Sequence, residues 1–268
     1  MCLYPKLIKN PKYKPNKKNG GNPPEMKDER VAFVPIGCGM CMECMKQKAR
    51  EWQVRLQEDI RENTNGKFVT LSYSNEYIIE LEDECRIIRN KTISRINELY
   101  NKPYSKEFNP LEGYILDNKI ATLSMRRFLE RWRKEFKTSV RHWMVSELGQ
   151  NNTERLHLHG ILWTDENVET IRRIWKYGHV FVGSFVNEKT VNYIVKYLHK
   201  TDEKHKFYQP VILTSKGIGS SYFKRNDHKT NMYKGNDTDE TYKTRTGIKL
   251  PLPIYYRNKI YSDLRALS

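Results

Sequence analysis

Two histidines lie one residue apart inside an apolar run, ERLHLHGILW, at residues 154–163. If this run is a β-strand, side chains two positions apart share one face of the sheet, so His157 and His159 project together. The neighbouring leucines then project from the opposite face, where they can pack against helices. Two imidazoles at this spacing can chelate one metal ion, although a His-x-His pattern alone more often marks two partly buried or surface histidines.

A carboxylate is expected close to this histidine pair. The preceding run ends in MVSELG, and the short turn LGQNNTE connects it to the histidine run. A short turn predicts antiparallel pairing, which brings Glu147 near the two imidazoles. Two imidazoles and one carboxylate leave coordination positions open for phosphate oxygens, and this set suits Mg²⁺ or Mn²⁺. Glu154 or Gln150 could replace Glu147 as the oxygen ligand.

Two tyrosines four residues apart provide a candidate nucleophile for attack on a phosphate. In VNYIVKYLHK (residues 191–200), helical spacing of about 100° per residue places the aliphatic side chains on one face. The opposite face carries Tyr193, Lys196, Tyr197 and Lys200. A helical tyrosine usually packs in or beside a core, but here the aliphatic face already fills that role. The pKa of a phenol is about 10, and a close lysine or metal ion would favour the phenolate needed for attack.

A cysteine cluster indicates a second metal site. Cys38, Cys41 and Cys44 are spaced Cys-x-x-Cys-x-x-Cys just before a long helical pattern. Three thiolates are one short of a closed structural zinc site, and Cys2 could be the fourth ligand, which would attach the basic N-terminal arm to the domain. An iron–sulfur cluster and free thiols in a reducing cell are the alternatives. Cys85 has no such neighbours in the sequence, and we expect it to be inert.

The composition favours a polyanionic partner. The 268 residues include 48 Lys and Arg against 32 Asp and Glu, which gives a formal net charge of +16. Cations together with 12% aromatic residues, among them 17 tyrosines, are typical of proteins that bind single-stranded nucleic acid by phosphate contacts and base stacking. No apolar run approaches the ~18 residues of a membrane span, and the N-terminus lacks the apolar core of a secretory signal, so an intracellular protein is expected.

Alternating helical and strand patterns predict an α+β domain. An irregular basic arm over residues 1–30 precedes a helix over 43–63 and the strand KFVTLSYS, whereas residues 76–120 have no clear assignment. The remaining predicted elements are a helix over 122–137, the strands VRHWMVSE and RLHLHGILW, a helix over 168–175, the strand HVFVG, and a helix from residue 188 behind the cap Asn187. Since the two middle strands pair antiparallel, we expect helices packed on an antiparallel sheet.

The order of these motifs resembles the HUH endonuclease superfamily, in which a histidine–hydrophobic–histidine strand precedes a helix with one or two catalytic tyrosines. HLHG followed by YIVKY carries this resemblance, and FVTLSYS is similar to the first motif of the superfamily. The paired tyrosines resemble rolling-circle replication initiators of small single-stranded-DNA phages, in particular the VP4-type initiators of gokushoviruses in the Microviridae. Three further segments support this likeness: CGMCMECMKQKAREWQVRLQED, TSKGIGSS and LPLPIYYRNK.

The resemblance implies a ferredoxin-like or RRM-like catalytic core with the metal on one sheet face. It also implies that a tyrosine nicks single-stranded DNA at the replication origin of a circular phage genome, leaving a 5′-phosphotyrosine and a 3′-OH primer, and that the displaced strand is later rejoined. His157, His159 and Glu147 would hold the Mg²⁺ or Mn²⁺ ion, Tyr193 and Tyr197 would attack, and Lys196 would stabilise charge or assist deprotonation. The residues expected to contact DNA are Thr70, Ser72, Lys200 and Lys216.

The same resemblance sets the expected organisation and partners. Residues 1–65 would hold the basic arm, cysteine cluster and helix, residues 66–205 the HUH endonuclease core, and residues 206–268 a basic extension packed on or near the core. Host polymerase and helicase are expected partners in the bacterial host cytoplasm. Two alternatives remain: an HUH transposase or relaxase, which would share these sites, and a noncatalytic zinc protein that binds single-stranded nucleic acid. The tyrosine–lysine face opposite an aliphatic face favours catalysis, since binding alone does not require it.

Overall fold

The computed structural model describes residues 2–16, 19–100, 111–149, 154–183, 185–200, 204–226, 228, 240–244 and 247–263. The chain forms two compact units, one comprising Met1–Glu62 with Gly219–Ser268 and the other Asn63–Ile218. The elements in chain order are β1 (Lys6–Lys9), β2 (Phe33–Ile36), α1 (Met42–Glu62), β3 (Gly66–Ser72), α2 (Asn75–Tyr100), α3 (Gly113–Phe136), β4 (Arg141–Leu148), β5 (Leu156–Trp163), α4 (Val168–Trp175), β6 (Val180–Gly183), α5 (Glu188–Val195), β7 (Ile212–Thr214), β8 (Thr241–Lys243), β9 (Lys249–Pro251) and α6 (Ile254–Asp263). Within these described ranges, no helix is long and apolar enough to cross a membrane.

The first unit joins N- and C-terminal segments around α1. Strand β1 pairs antiparallel with β2, and β8 pairs antiparallel with β9. One of its buried hydrophobic clusters consists of Val54, Tyr222, Tyr242, Leu252, Tyr256 and Ile260. Residues from Gly219 onward therefore belong to the same compact unit as the N-terminal helix, whereas the sequence predicted a C-terminal extension packed on or near the endonuclease core.

The sequence KGIG forms a turn whose second glycine is bonded within the protein. The Gly219 amide donates to Asp59 Oδ1 at 2.8 Å, and the Gly219 carbonyl accepts from Tyr256 Oη at 2.8 Å. Gly219 has a positive φ of 75°, a conformation that glycine adopts without a steric penalty. Because its amide already has a carboxylate partner, Gly219 stabilises this turn and does not offer a free N–H to a phosphate.

The second unit contains a five-stranded sheet with the order β6-β3-β5-β4-β7. All its strand pairs are antiparallel, and helices pack on it, which confirms the predicted α+β class. In the β4–β5 hairpin Glu147 lies opposite His157, and in the β3–β5 pair Thr70 lies opposite His159. The predicted antiparallel hairpin therefore has the register that groups these four residues on one part of the sheet.

The two faces of β5 have different surroundings. Leu156, Leu158 and Leu162 are at most 2% exposed and join a core with side chains of α2, α3 and α4. Burial of each such leucine stabilises the fold by about 1.5–3 kcal/mol relative to an exposed one. The alternation of a strand then directs the two histidines to the other face, as the sequence predicted.

The glycine that follows the histidine pair permits close packing of the hairpin. A Cβ atom on Gly160 would overlap the backbone carbonyl of Trp143 and the Met144 side chain on the neighbouring strand β4. Gly160 itself lies opposite Met144 in the register. The absence of a side chain at this position therefore allows β4 and β5 to pair next to the site.

Helix α5 begins as the sequence predicted. The Asn187 side chain accepts a hydrogen bond of 3.0 Å from the Thr190 amide, and the Thr190 hydroxyl is 3.3 Å from the Asn187 amide, which together form a capping box. The α-helix ends at Val195 and continues as a 3₁₀ turn over Lys196–Leu198. This change of helical geometry sets where the second tyrosine lies.

Candidate functional site

His159 is held at both ring nitrogens. Its Nδ1 lies 3.0 Å from Thr70 Oγ1, and its Nε2 lies 2.8 Å from Glu147 Oε2. The residue is 9% exposed, so these two contacts fix an imidazole that has little access to water. Thr70, predicted as a DNA contact, is therefore a hydrogen-bond partner of the histidine in this structure.

Glu147 joins the histidine face to the chain segment after α5. Its second oxygen, Oε1, accepts a hydrogen bond of 3.1 Å from Lys200 Nζ. Burial alone would raise the pKa of Glu147, but the hydrogen bond from His159 and the contact with Lys200 outweigh burial and lower it. Lys200, another predicted DNA contact, is thus hydrogen-bonded to Glu147, the carboxylate that was predicted to be a metal ligand.

His159 and Glu147 are close enough to share one divalent cation, whereas the donor atoms of His157, His159 and Glu147 do not all lie within 4.8 Å of one another. His157 and His159 stack side by side with ring centroids 6.1 Å apart, and burial, followed by the proximity of His159, lowers the pKa of His157. A neutral imidazole is the form that binds metals. On an octahedral cation with metal–ligand bonds of about 2.1 Å, adjacent ligand atoms are about 3.0 Å apart, close to the 2.8 Å between His159 Nε2 and Glu147 Oε2.

Other predicted oxygen ligands do not join this group among the described residues. The Glu154 carboxylate forms an ion pair with Lys204 at 3.3 Å, and both side chains are exposed. Gln150 lies outside the described residues. Glu147 is therefore the acidic side chain found in contact with the histidines.

The two tyrosines meet over His159 in unequal environments. The Tyr197 ring stacks on the His159 ring with centroids 4.4 Å apart and an interplanar angle of 6°. Tyr197 Oη donates a hydrogen bond of 2.6 Å to Tyr193 Oη. Tyr197 is 7% exposed and Tyr193 is 51% exposed. Burial, and then the hydrogen bond to Tyr193, raise the pKa of Tyr197, so this phenol gives up its proton less readily than an ordinary tyrosine.

Three predicted site residues have side chains that form no hydrogen bond or ion pair with the histidine pair, Glu147 or the tyrosines in the part of the chain that the structure describes. The Lys196 side chain is exposed, and its carbonyl accepts from the amides of His199 and Lys200. Ser72 Oγ donates to the His179 carbonyl at 2.9 Å. Lys216 follows β7, which pairs with the Trp143 end of β4, so it lies about 20 Å along the sheet from Glu147. A DNA contact by Lys216 would be remote from the histidines.

Two aromatic residues beside the site were not predicted from the sequence. Phe68 contacts Tyr193 edge-on with ring centroids 6.1 Å apart, and Phe181 lies edge-on to Phe68 at 6.3 Å. Phe181 is opposite Thr70 in the β3–β6 pair and is 52% exposed. The sequence contained the information needed to find them. Phe68 and Thr70 are two residues apart and share one face of a predicted strand, and HVFVG was also predicted to be a strand.

The four predicted cysteine ligands converge in the first unit. The Sγ atoms of Cys2, Cys38, Cys41 and Cys44 all lie within 4.8 Å of one another, and this is the group of potential metal ligands that meets this criterion in the described part of the chain. Such a cluster could hold a metal ion such as zinc. Cys85 is a free, buried cysteine of α2 in the other unit.

The cysteine sulfurs differ in their hydrogen bonding. The pKa of Cys41 is lowered to about 6, first by the Leu3 amide and then by the Cys44 amide. The pKa of Cys38 is also lowered, first by the Met40 amide. The Gly39 amide acts to lower the pKa of Cys44, but burial and the neighbouring sulfurs together raise it to about 12. Two of the thiols are thus predisposed to ionise, whereas a third is protected from ionisation by its neighbours.

Comparisons with known proteins show the family of the chain. The family model for the replication-associated protein ORF2/gene 2 protein matches residues 66–202, just over half of the chain, and this range includes the histidines and both tyrosines. A "Replication-associated protein VP4" of Bdellovibrio phage phiMH2K is 25% identical over 241 residues, which cover 86% of this chain and 69% of that relative. No solved structure matches. The expected relationship to rolling-circle replication initiators is confirmed, and this chain belongs to the family of the replication-associated protein ORF2/gene 2 protein.

Proposed function

We propose that the protein nicks and rejoins single-stranded origin DNA in rolling-circle replication of a circular phage genome. The observation that carries this proposal is the stacking of Tyr197 on His159, because it brings two phenols to a histidine that is also bonded to Glu147. In this reaction a tyrosine Oη attacks the scissile phosphorus. A new O–P bond forms, the P–O3′ bond breaks, the 5′ phosphate remains on the tyrosine, and the 3′ oxygen leaves as the hydroxyl that primes synthesis.

We further propose that the second unit is an HUH endonuclease core of the ferredoxin-like or RRM-like type. A central strand, β5, carries the His-x-His pair, and a tyrosine-bearing helix lies over the same face. His157, His159 and Glu147 would hold Mg²⁺ or Mn²⁺, and the bound ion would polarise the scissile phosphate. Thr70 would fix the His159 ring so that Nε2 is available as a ligand.

Two tyrosines suit a cycle of two cuts. After the first cut one tyrosine is bonded to the 5′ end, so the second cut at the regenerated origin needs a free phenol. Tyr193 and Tyr197 are hydrogen-bonded to each other and can therefore both reach one phosphate site. The free 3′-OH then attacks the phosphotyrosine, and the displaced strand is closed as the tyrosine is released.

The surface around the site suits single-stranded DNA. Phe68 and the exposed Phe181 offer ring faces and edges for bases beside Tyr193. The net charge of +16 supports phosphate contacts over the rest of the chain. We infer that the protein acts in the cytoplasm of the bacterial host, with host polymerase and helicase as partners.

The deciding experiment incubates the full chain with labelled origin DNA and Mn²⁺ and then tests for an adduct that protease removes. The adduct should form with the wild type and disappear in EDTA, in His157→Ala and His159→Ala, and in the double variant Tyr193→Phe with Tyr197→Phe. DNA binding in EDTA should be largely retained by these variants, since distributed charge supplies it. If the variant that combines His157→Ala with His159→Ala cleaves as fast as the wild type, the metal mechanism is wrong. If the wild type binds DNA but forms no adduct, the noncatalytic alternative is favoured.

A further inference from the structure

We propose that Cys2, Cys38, Cys41 and Cys44 form a closed four-thiolate site for a structural zinc ion, separate in chemistry from the nicking site. Zinc binds four thiolates tetrahedrally with Zn–S bonds of about 2.3 Å, which requires sulfurs about 3.8 Å apart. Cys38 Sγ is 3.9 Å from Cys44 Sγ, and Cys41 Sγ is 3.7 Å from Cys2 Sγ. Two of the six sulfur pairs therefore already have the spacing of a zinc tetrahedron, and all four sulfurs lie within 4.8 Å of one another.

The spacing is that of metal ligands and not of disulfides. A disulfide needs sulfurs about 2.05 Å apart, so neither of these pairs is bonded, and all four cysteines are free. Gly37 allows the close approach, because a Cβ atom at this position would lie 3.0 Å from Cys44 Sγ. With four protein ligands the site has no open position, which is typical of structural zinc and not of catalytic zinc.

Backbone amides are directed at the sulfurs. The Cys38 amide donates to Cys2 Sγ at 3.2 Å, and the Cys41 amide donates to Cys38 Sγ at 3.2 Å. The Leu3 amide contacts Cys41 Sγ at 3.5 Å, and the Met40 amide contacts Cys38 Sγ at 3.4 Å. N–H donors favour thiolates over thiols, and a divalent ion is needed to offset the repulsion between several thiolates at this distance.

The positions of the ligands define what the metal would do. Cys2 precedes β1, Cys38 and Cys41 lie between β2 and α1, and Cys44 is in the first turn of α1. The start of β1 and the end of β2 lie at the same end of this antiparallel pair, because Lys6 is opposite Ile36, so the ion would fasten that one end to the start of the long helix. These two strands are short and largely exposed, so their apolar burial is too small to hold them in place alone.

Thiolates also separate this site from the histidine–carboxylate site. Soft sulfur ligands select zinc, whereas Mg²⁺ and Mn²⁺ prefer oxygen ligands. The inference does not depend on the nicking activity, and its test can succeed or fail independently of it. Iron in a four-cysteine site is the competing assignment.

The test measures metal in the full chain purified without chelators. We expect about one zinc per chain, lost in Cys2→Ser and retained in the matched control Cys85→Ala. Cys2 is the best ligand to replace, because it lies outside α1 and its loss leaves that helix intact. After zinc removal, titration with Co²⁺ should give the absorption of a tetrahedral thiolate complex in the wild type and a weakened one in Cys2→Ser.

A second readout reports on the local stability of the N-terminal segment. Limited proteolysis of the metal-depleted wild type should cleave residues 2–40 at least tenfold faster, and zinc should reverse this effect. His159→Ala should retain its zinc even though it loses nicking. Protein with neither metal nor a cobalt–thiolate signal would overturn the site, one iron per chain would overturn the zinc assignment, and equal metal loss in Cys85→Ala would overturn the ligand set.

Discussion

Tyr197 donates a 2.6 Å hydrogen bond to Tyr193, and the accepting phenol is the exposed one. The pKa of the donor is raised by burial, so Tyr197 keeps its proton and can stabilise a developing phenolate on Tyr193. The pair is therefore asymmetric, although the sequence presents two similar tyrosines. For the proposed nicking reaction, this asymmetry favours Tyr193 as the phenol that makes the first cut.

We predict that Tyr193→Phe removes most of the first nick and that Tyr197→Phe slows it. A hydrogen bond to a charged group contributes about 1.5–3 kcal/mol, so Tyr197→Phe should cut roughly ten to a hundred times more slowly. Both variants should fail at circularisation, which needs a second phenol. Single-turnover adduct formation and the yield of closed circles are the measurements. Faster first cutting by Tyr193→Phe than by Tyr197→Phe would reverse the assigned order.

Lys200 should compete with the cation of the proposed metal site. Its ammonium lies 3.1 Å from Glu147 Oε1, and its side chain is 41% exposed. Ion pairs with this much exposure are worth about 0.5–1 kcal/mol. Lys200→Ala should therefore lower the Mn²⁺ concentration for half-maximal cleavage about twofold to fivefold.

The matched control for Lys200 is Lys189→Ala in α5, where the side chain is exposed. Both variants lose one positive charge. A general electrostatic effect on DNA binding would therefore change the Mn²⁺ concentration for half-maximal cleavage equally in the two variants. If Lys200→Ala needs more Mn²⁺ than the wild type while Lys189→Ala does not, Lys200 assists the bound cation instead of competing with it.

Thr70 should act through His159. Thr70→Val keeps the shape of the side chain but removes the hydroxyl that lies 3.0 Å from His159 Nδ1. Partners of this kind typically change metal affinity or activity by about 10- to 100-fold, and we expect a loss in this range, with Thr70→Ser close to the wild type. Binding of single-stranded DNA measured in EDTA separates the two roles. A loss of DNA binding in EDTA with unchanged Mn²⁺ dependence would make Thr70 the DNA contact that the sequence predicted.

Asp117 should make the stability of the second unit depend on pH. Burial, then the charge of Glu82, raises its pKa from 3.8 to about 6. Below pH 3.8 both the folded and the unfolded chain hold the proton, and the folded state has no penalty. As pH rises to about 6, the unfolded chain ionises first and stability falls, so the full penalty is present above that pH.

Asp117→Asn should accordingly stabilise the protein above about pH 6 by about 1–2 kcal/mol, a value reduced to allow for the partial exposure of the group. The gain should vanish near pH 4. Denaturant unfolding at pH 4, 5 and 7 measures it, and Asp83→Asn, at an exposed position of α2, is the control. An equal gain at all three pH values would mean that the substitution acts through packing and not through ionisation.

The elements around the site were predictable because their signals are local. Alternation with buried leucines identified β5, a short turn set its pairing with β4, and the Asn187 cap placed the start of α5. Helix α2 was missed because, over 26 residues, its buried side chains are just Leu81, Cys85 and Ile93, too few to give a clear helical period. Helix α3 also begins at Gly113, nine residues before the predicted start.

The composition of the site was predicted more fully than its contacts. Residue types and strand alternation were enough to group the histidines with Glu147. The inequality of the tyrosines was not predictable, because it depends on the 3₁₀ turn over Lys196–Leu198 that presses Tyr197 onto His159. The contact between Lys200 and Glu147 was also not predicted, and Lys200 lies just after this turn. The remote position of Lys216 follows from the pairing of β7 with β4, a contact between segments far apart in sequence.

Substitution of Phe181 can test whether DNA crosses the sheet face that carries the two histidines. Its ring is 52% exposed, lies edge-on to Phe68, and is opposite Thr70 in the sheet register. Stacking of one base on an aromatic ring contributes about 1–3 kcal/mol, so Phe181→Ala should weaken single-stranded DNA binding roughly 5- to 100-fold, and Phe181→Trp should retain it. The slope of affinity against salt should not change, because no phosphate contact is removed.

Phe207 provides the control for this loss of aromatic surface. It is 75% exposed and precedes Tyr208, whose hydroxyl bonds to Ser146 on the face of β4 opposite to Glu147. Phe207→Ala should therefore leave DNA affinity and the adduct yield unchanged. Nicking by Phe181→Ala should recover at saturating DNA, since the variant loses binding and keeps the tyrosines and histidines. Equal weakening by the two substitutions would mean that the DNA is not guided across the histidine face, and unchanged affinity in Phe181→Ala would exclude a base from this ring.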